Sequence, residues 1–475
     1  MQARKSRGEK ELVFVRVVKD GSPVFFCCAL EDVDTYGYAT AENLKKSLDN
    51  AILNKLKIES EKYMTGLVVM TADGASANFG SKNGLLTQMN QERGWLLKIH
   101  CVCHRVELAF KDAPLKRKEF NQIKEFLTSI YYFFKRSGKF KRQFETTADA
   151  MDVVCYPFPK VHGTRSVNHQ RVGLQRLLHN WVVLASTLES AIATDKGANA
   201  KLTGYLKRLR DSKFLVSCIL YKDILDIYAT ELSLKFERND LLPCEIALAV
   251  EKAICAVEDL LEPCDNPSTS LLNSVSMKLE NDKTLTQNIT KKGHNKRKTA
   301  EKEMMEIKYE QMNHSDEACN AKIEKLKQDL NLTDCLQERF ASFNDPIYQS
   351  FSWIDNRSWT EDRNAELPKI MNTVDHFGVT LGPQFEKEKL KSEWRNLRLT
   401  IQHSYTDIKK PLKLWETILK YRREEVPNIC SLVEIILCIG VSNSVVGSGF
   451  SCLTYLLSDR RFSMHHETME SYNLI

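Results

Sequence analysis

An aspartate stands at the carboxyl end of an apolar run, Leu67-Val68-Val69-Met70-Thr71-Ala72-Asp73, with Gly74 directly behind it. A carboxylate at the end of a buried strand, followed by a residue that lets the chain turn sharply, can hold a divalent metal for nucleotidyl transfer. The commoner use of Asp-Gly is plain strand-to-loop punctuation. A second apolar run leads into Cys101-Val102-Cys103-His104. Neighbours a residue or two apart cannot all converge on one tetrahedral ion without contorting the backbone, so no metal site is expected there. The other cysteines of the 14 are scattered, without paired CxxC spacing, and read as free thiols acting as small hydrophobes. No catalytic triad and no phosphate-cradling Gly loop occurs elsewhere, and no cofactor is expected.

The elements around these residues read as α/β. Leu12–Val18 and Pro23–Leu30 are β-rich runs joined through Lys19-Asp20-Gly21-Ser22, which suits a tight hairpin turn. A helix is expected over 41–58, with Thr40 as its N-cap and Leu44, Leu48, Ile52 and Leu56 on one face. The Asp73 strand follows, then a short helix near 84–91, a strand over 95–101 and a helix through Val106 to Phe110. From Val172 the chain turns helical, with Leu174, Leu177, Leu178, Trp181, Leu184, Leu188 and Ile192 at helical spacing. The clearest later helix spans 244–261. Residues 265–298 break the pattern as a polar, charged linker, and 299–330 read as a charged helix.

Four segments resemble the hAT superfamily of transposases, in particular vertebrate host proteins derived from them. They are Thr71 to Gly80 with Lys82-Asn83-Gly84, His100 to Ala109, Gly163-Thr164-Arg165, and Val441 to Ser444 with Phe450-Ser451. Each is weak alone, and together they run in family order over nearly the whole chain. The resemblance implies an RNase H-like core entered one strand late, in which Asp73 corresponds to the second catalytic acid. The first, central strand and its acid should be missing, because only the charged residues 1–10 precede the hairpin, and the chain reads as N-terminally truncated. At the position of the family's third acid, three before Phe450, stands Gly447, which offers no ligand. Ser166 occupies the place of a Trp that handles flipped bases in active members, and Ser has no stacking face. Cys101 and His104 match the family's Cys-x-x-His motif, either supporting the acidic site or forming a buried structural pair. With the acidic triad incomplete, no enzymatic activity is expected, and Asp73, Cys101 and His104 are vestigial.

The resemblance further implies three regions: 1–171 as the N-terminal part of the core, 172–426 as a helical insertion, and 427–475 as a dimerisation region. Leu432, Ile435, Ile436, Phe450, Leu453 and Leu456 would form its contacts, with a second copy or a hetero-partner. The expected function is an inactive, nuclear interaction and dimerisation module. The alternative is a protein related to SUMO E3 ligases of this group, although no hydrophobic, acid-flanked SUMO-interacting motif occurs here. Residual nucleic-acid binding and active transposition rank below both.

Composition agrees with a globular chain. Hydrophobic residues make up 43% of 475 positions, enough for a sizeable core. A net charge of +6 on so long a chain favours DNA only weakly. The basic residues Lys291, Lys292, Lys296, Arg297 and Lys298 form a split cluster that reads equally as a nuclear-import signal or a solvated linker. No uninterrupted apolar stretch reaches the roughly 18 residues of a membrane span, so no membrane partner is expected.

Overall fold

A computed structural model of the chain describes residues 10–161, 166–194, 200–262 and 316–456. The basic cluster at 291–298 and the Gly163-Thr164-Arg165 segment lie outside these residues. The described residues fall into two compact units. One takes in the chain up to Arg105, Leu234–Val250 and the part from Arg339 onward; the other comprises Val106–Ser233 and Glu251–Glu338.

The first unit is α/β. Strands β1 (Lys10–Lys19) and β2 (Ser22–Asp32) form the expected hairpin, closed by Asp20 and Gly21 with φ of 52° and 83°. Both central residues are left-handed, the turn whose twist matches the flanking strands. Cys28 is an extra residue on β2 opposite the Val13–Phe14 step. Helix α1 (Ala41–Asp49) starts at Thr40, whose side chain accepts from the Asn43 N–H at 3.3 Å. A wider-wound turn over Asn50–Lys55 continues it. After α2 (Ser60–Gly66) come β3 (Val69–Ala72), the single turn α3 (Ser76–Phe79), α4 (Leu85–Glu92), β4 (Leu97–His100) and α5 (Val102–Asp112). Strand β3 lies parallel to β4, and among the described residues each two-stranded sheet stands by itself.

Strand alternation sends side chains to two different layers. Val13 and Ala29 join Leu44, Leu48, Leu85 and Leu86 of α1 and α4 in one core cluster, with Met70 and Ala72 of β3 packed against it. Leu12 and Leu30 point the other way, onto Phe450.

The C-terminal part of the unit supplies that second layer and a tryptophan cluster. In chain order, helix α12 (Glu245–Leu261) begins in this unit and continues into the other, which also holds α13 (Asp316–Gln328) and most of α14 (Leu332–Phe340); this unit then carries α15 (Leu367–Phe377), α16 (Leu390–Ser404), α17 (Pro411–Tyr421), α18 (Pro427–Cys438) and α19 (Ser444–Leu456). Trp353, Trp394 and Trp415 are fully buried, and ring centroids among them and Trp359 lie 5.3–6.4 Å apart. Arg398 sits 4.6 Å over the Trp359 ring and donates to Glu366 at 2.5 Å and to the Thr360 carbonyl at 2.7 Å. Glu393 accepts from the backbone N–H groups of Asn428 and Ile429, at 3.0 and 3.1 Å, and so caps α18.

The second unit is helical. Helices α6 (Lys118–Arg136), α7 (Gly138–Ala150), α8 (Ser166–His179), α9 (Trp181–Thr194), α10 (Ala200–Leu209) and α11 (Ser212–Ile227) carry most of it. The periodic run from Val172 breaks at Asn180 between α8 and α9; there the Asn180 side chain bridges the Tyr156 backbone, accepting at 3.0 Å and donating at 2.7 Å. Helix α6 buries Phe120, Ile123, Phe126 and Ile130, and Phe120 stacks on Tyr221 at 4.7 Å. This apolar face places α6 with the helical unit.

Candidate functional site

Asp73 directly follows β3, as the run of β-formers requires, and its carboxylate is used locally. Its Oδ1 accepts from the Ala75 N–H at 3.3 Å and from Asn78 Nδ2 at 2.9 Å, which folds the chain into α3. Gly74 is there for space: a Cβ at that position would lie 2.6 Å from the His100 ring. His100 stacks between Phe79 and His104, with centroids at 5.5 and 5.3 Å. Burial, aided by the nearby Arg105 charge, lowers its pKa to about 4, so the imidazole is neutral near pH 7.

Cys101 is buried at the start of α5, its carbonyl accepting from the Arg105 N–H at 3.0 Å. Its sulfur accepts from the Asn443 N–H at 3.2 Å and from the Cys103 thiol, which lowers its pKa. Cys103, the donor of that pair, is raised correspondingly, and it also meets Ser442 Oγ at 3.2 Å. Arg105 donates to the His100 carbonyl at 3.1 Å and to the Arg339 carbonyl at 2.5 Å. Glu107 Oε1 accepts from the Val167 N–H at 3.1 Å and so caps the start of α8.

Three segments far apart in sequence therefore meet: 71–80, 100–105 and 440–446. Thr71 Oγ1 donates to the Gly440 carbonyl, and the Val102 N–H to the Val441 carbonyl at 3.1 Å. Position 447 follows one helical turn after Asn443, in α19, and a Cβ there would meet nothing within 4 Å. Gly449, two residues on, is different: a Cβ would stand 3.0 Å from the Phe14 ring. Among the described residues no three His, Cys, Asp or Glu side chains are grouped so as to hold a metal ion. Ser166 opens α8 in the other unit, and its side chain lies outside the described residues.

The C-terminal residues are divided. Leu432 and Ile436 of α18 are fully buried within the chain, and Phe450 packs on Leu12 and Leu30. Ile435 lines a cleft. The side chains of Leu453 and Leu456 lie outside the described residues.

That cleft, of about 1240 Å³, runs beside Asp73 between β1 and β3. Arg16 and Glu11 of β1 both reach it, and neither stands out in a search for catalytic motifs. Among the described residues the Arg16 Nε and Nη2 atoms and Glu11 Oε2 are buried without hydrogen-bond partners. The guanidinium lies 5.1 Å over the Phe25 ring, and burial lowers its pKa to about 10. Burial raises Glu11 to about 7. The available signal was Arg16 in register with Leu12 and Phe14 on the inward face of a strand. No protein-family model matches the chain. Among the described residues no helix is long and apolar enough to cross a membrane.

Proposed function

We propose that the chain is a catalytically silent relative of the hAT transposases, with an RNase H-like core, acting as a nuclear protein-interaction and dimerisation module. What carries this reading is the stretch around 440–447: three of the four segments resembling the family meet there, yet position 447 has no side chain and Asp73 spends its carboxylate on the loop to Asn78. Two-metal phosphoryl chemistry needs several acidic groups held together against the phosphate, and one engaged Asp does not meet that need. The hairpin followed by a parallel β3–β4 pair supports the RNase H-like assignment.

The test incubates the purified chain with magnesium or manganese and DNA carrying free ends. No metal-dependent cleavage is expected; cleavage that disappears in Asp73→Asn would overturn the reading. For dimerisation, the contact falls on what the chain's own core leaves over, from Ile435 to the end of α19, since Leu432 and Ile436 are already buried. Light scattering is expected to show a dimer that Leu453→Glu with Leu456→Glu reduces to a monomer. A monomer at all concentrations of the intact chain would remove dimerisation from the proposal.

A further inference from the structure

A strand with a neighbour on one side only leaves alternate backbone N–H and C=O groups unpaired along its other edge. Two such edges face one cleft. Strand β1 bonds only to β2 and β3 only to β4 among the described residues, and Lys10–Val17 and Val68–Asp73 line opposite sides of the same space. Its two faces are closed by apolar side chains, Leu48 and Leu86 on one and Ile435 and Cys438 on the other. The space therefore has the attributes of a vacant strand position inside a sheet: hydrogen-bonding groups at both edges, helices above and below, and a volume of about 1240 Å³. Arg16 adds a charge requirement, because its buried Nε and Nη2 atoms have no acceptor among the described residues.

We propose that this cleft takes one extended peptide strand from a partner polypeptide, aliphatic on both faces and carrying a carboxylate toward Arg16. A strand bonded on both sides and covered on both faces must be apolar nearly throughout, which excludes polar segments. None of the stretches of this sequence outside the described residues holds three apolar residues in succession, so none has the composition required. A buried guanidinium gains most from an ionised partner that accepts two parallel hydrogen bonds, which a carboxylate does. Main-chain bonds to two edges give affinity, while the alternating pockets and Arg16 give selectivity. The proposal rests on the interaction reading of the chain and fails separately from it, since peptide binding and DNA cleavage are independent measurements.

The experiment titrates the full-length chain into a labelled seven-residue peptide of Val and Ile with a central Asp, flanked by lysines for solubility. Anisotropy reports binding, and hydrogen exchange locates it. Saturable binding is expected, with new protection in both Leu12–Val17 and Val69–Ala72. Exchanging the central Asp for Lys should weaken binding at least tenfold, replacing it with Pro should abolish it, and Arg16→Met should erase the preference for Asp over Lys. The peptide series stands even if Arg16→Met does not fold. Absence of binding, equal binding of the Pro peptide, or binding that leaves either strand unprotected overturns the proposal. So does concentration-dependent self-association that protects the same edges, because the occupant is then a second copy.

Discussion

Two arginines in the same unit make opposite use of burial. Arg398 and Arg16 both lie over aromatic rings, at 4.6 Å from Trp359 and 5.1 Å from Phe25. Arg398 finds its carboxylate inside the chain: Glu366 accepts at 2.5 Å, the Thr360 carbonyl adds a second bond, and the tryptophan cluster closes around them. Among the described residues Arg16 has no such acceptor, and its Nε and Nη2 lie at a cleft bounded by two strand edges that are unpaired there. The desolvation cost is common to both, so only Arg398 has it offset by a fixed partner. A region whose guanidinium has a fixed carboxylate holds the fold together, even though Arg398 Nε and Trp394 Nε1 are themselves without hydrogen-bond partners among the described residues; one that leaves strand edges open and a guanidinium without a counter-ion is suited to receive something.

The sharpest way to break this contrast is to remove the partner in the closed region. Glu366→Gln leaves Arg398 charged and buried without its counter-ion, and should cost about 3–5 kcal/mol. Urea unfolding followed by tryptophan fluorescence should show the loss, because the four rings report on this cluster. A change under 1 kcal/mol would mean that the pair is held no better than a surface ion pair.

The two glycines of α19 give the next effect, in opposite directions. Gly449→Leu drives a side chain into Phe14 and should destabilise by about 1–3 kcal/mol. Gly447→Ala meets open space and should stabilise by about 1 kcal/mol through helix propensity. Equal effects of the two would show that α19 is not seated against β1.

Much of the fold could be read from local chemistry. The hairpin, its Asp-Gly turn, the Thr40 cap and the strand that ends at Asp73 all follow from side chains acting on their own neighbourhood. The expected helix over 244–261 forms as Glu245–Leu261, burying Ile246, Val250 and Val257. What the sequence concealed depends on distant partners. Nothing near Cys101 announces that Asn443 will donate to its sulfur, and nothing near Glu393 announces that it will cap α18. Helix periodicity marked Leu432 and Ile436 as apolar contacts without distinguishing a second chain from the chain's own core, where they are buried. Arg16 escaped notice for the same reason: its significance is the absence of an acceptor, and that is visible only once every neighbour is placed.

A further effect separates the cleft by pH. Burial holds the Glu11 carboxyl at about 7 against an ordinary 4.5, so the folded chain binds its proton more tightly than the unfolded chain does. Its contribution is fully present below about pH 4.5 and is lost as pH rises through 7. His100, held at about 4, acts in the opposite sense, losing stability as pH falls from 6.5 toward 4, and it does so in both chains being compared. Relative to Glu11→Gln, the unaltered chain should therefore lose about 2.5 kcal/mol between pH 5 and pH 8. A constant difference across that range would mean that Glu11 is solvated and that the cleft is not dry at that end.

The claim that β1 and β3 present open edges to one cleft is tested most directly by residue-resolved amide hydrogen exchange on the free chain. Alternate amides along Leu12–Val17 and Val69–Ala72 should exchange fast while their neighbours, bonded to β2 and β4, exchange slowly, and the amides of α16 beside the tryptophan cluster should be uniformly slow. Uniform protection along both strands in the free chain would contradict it, because every edge group would then already have a partner.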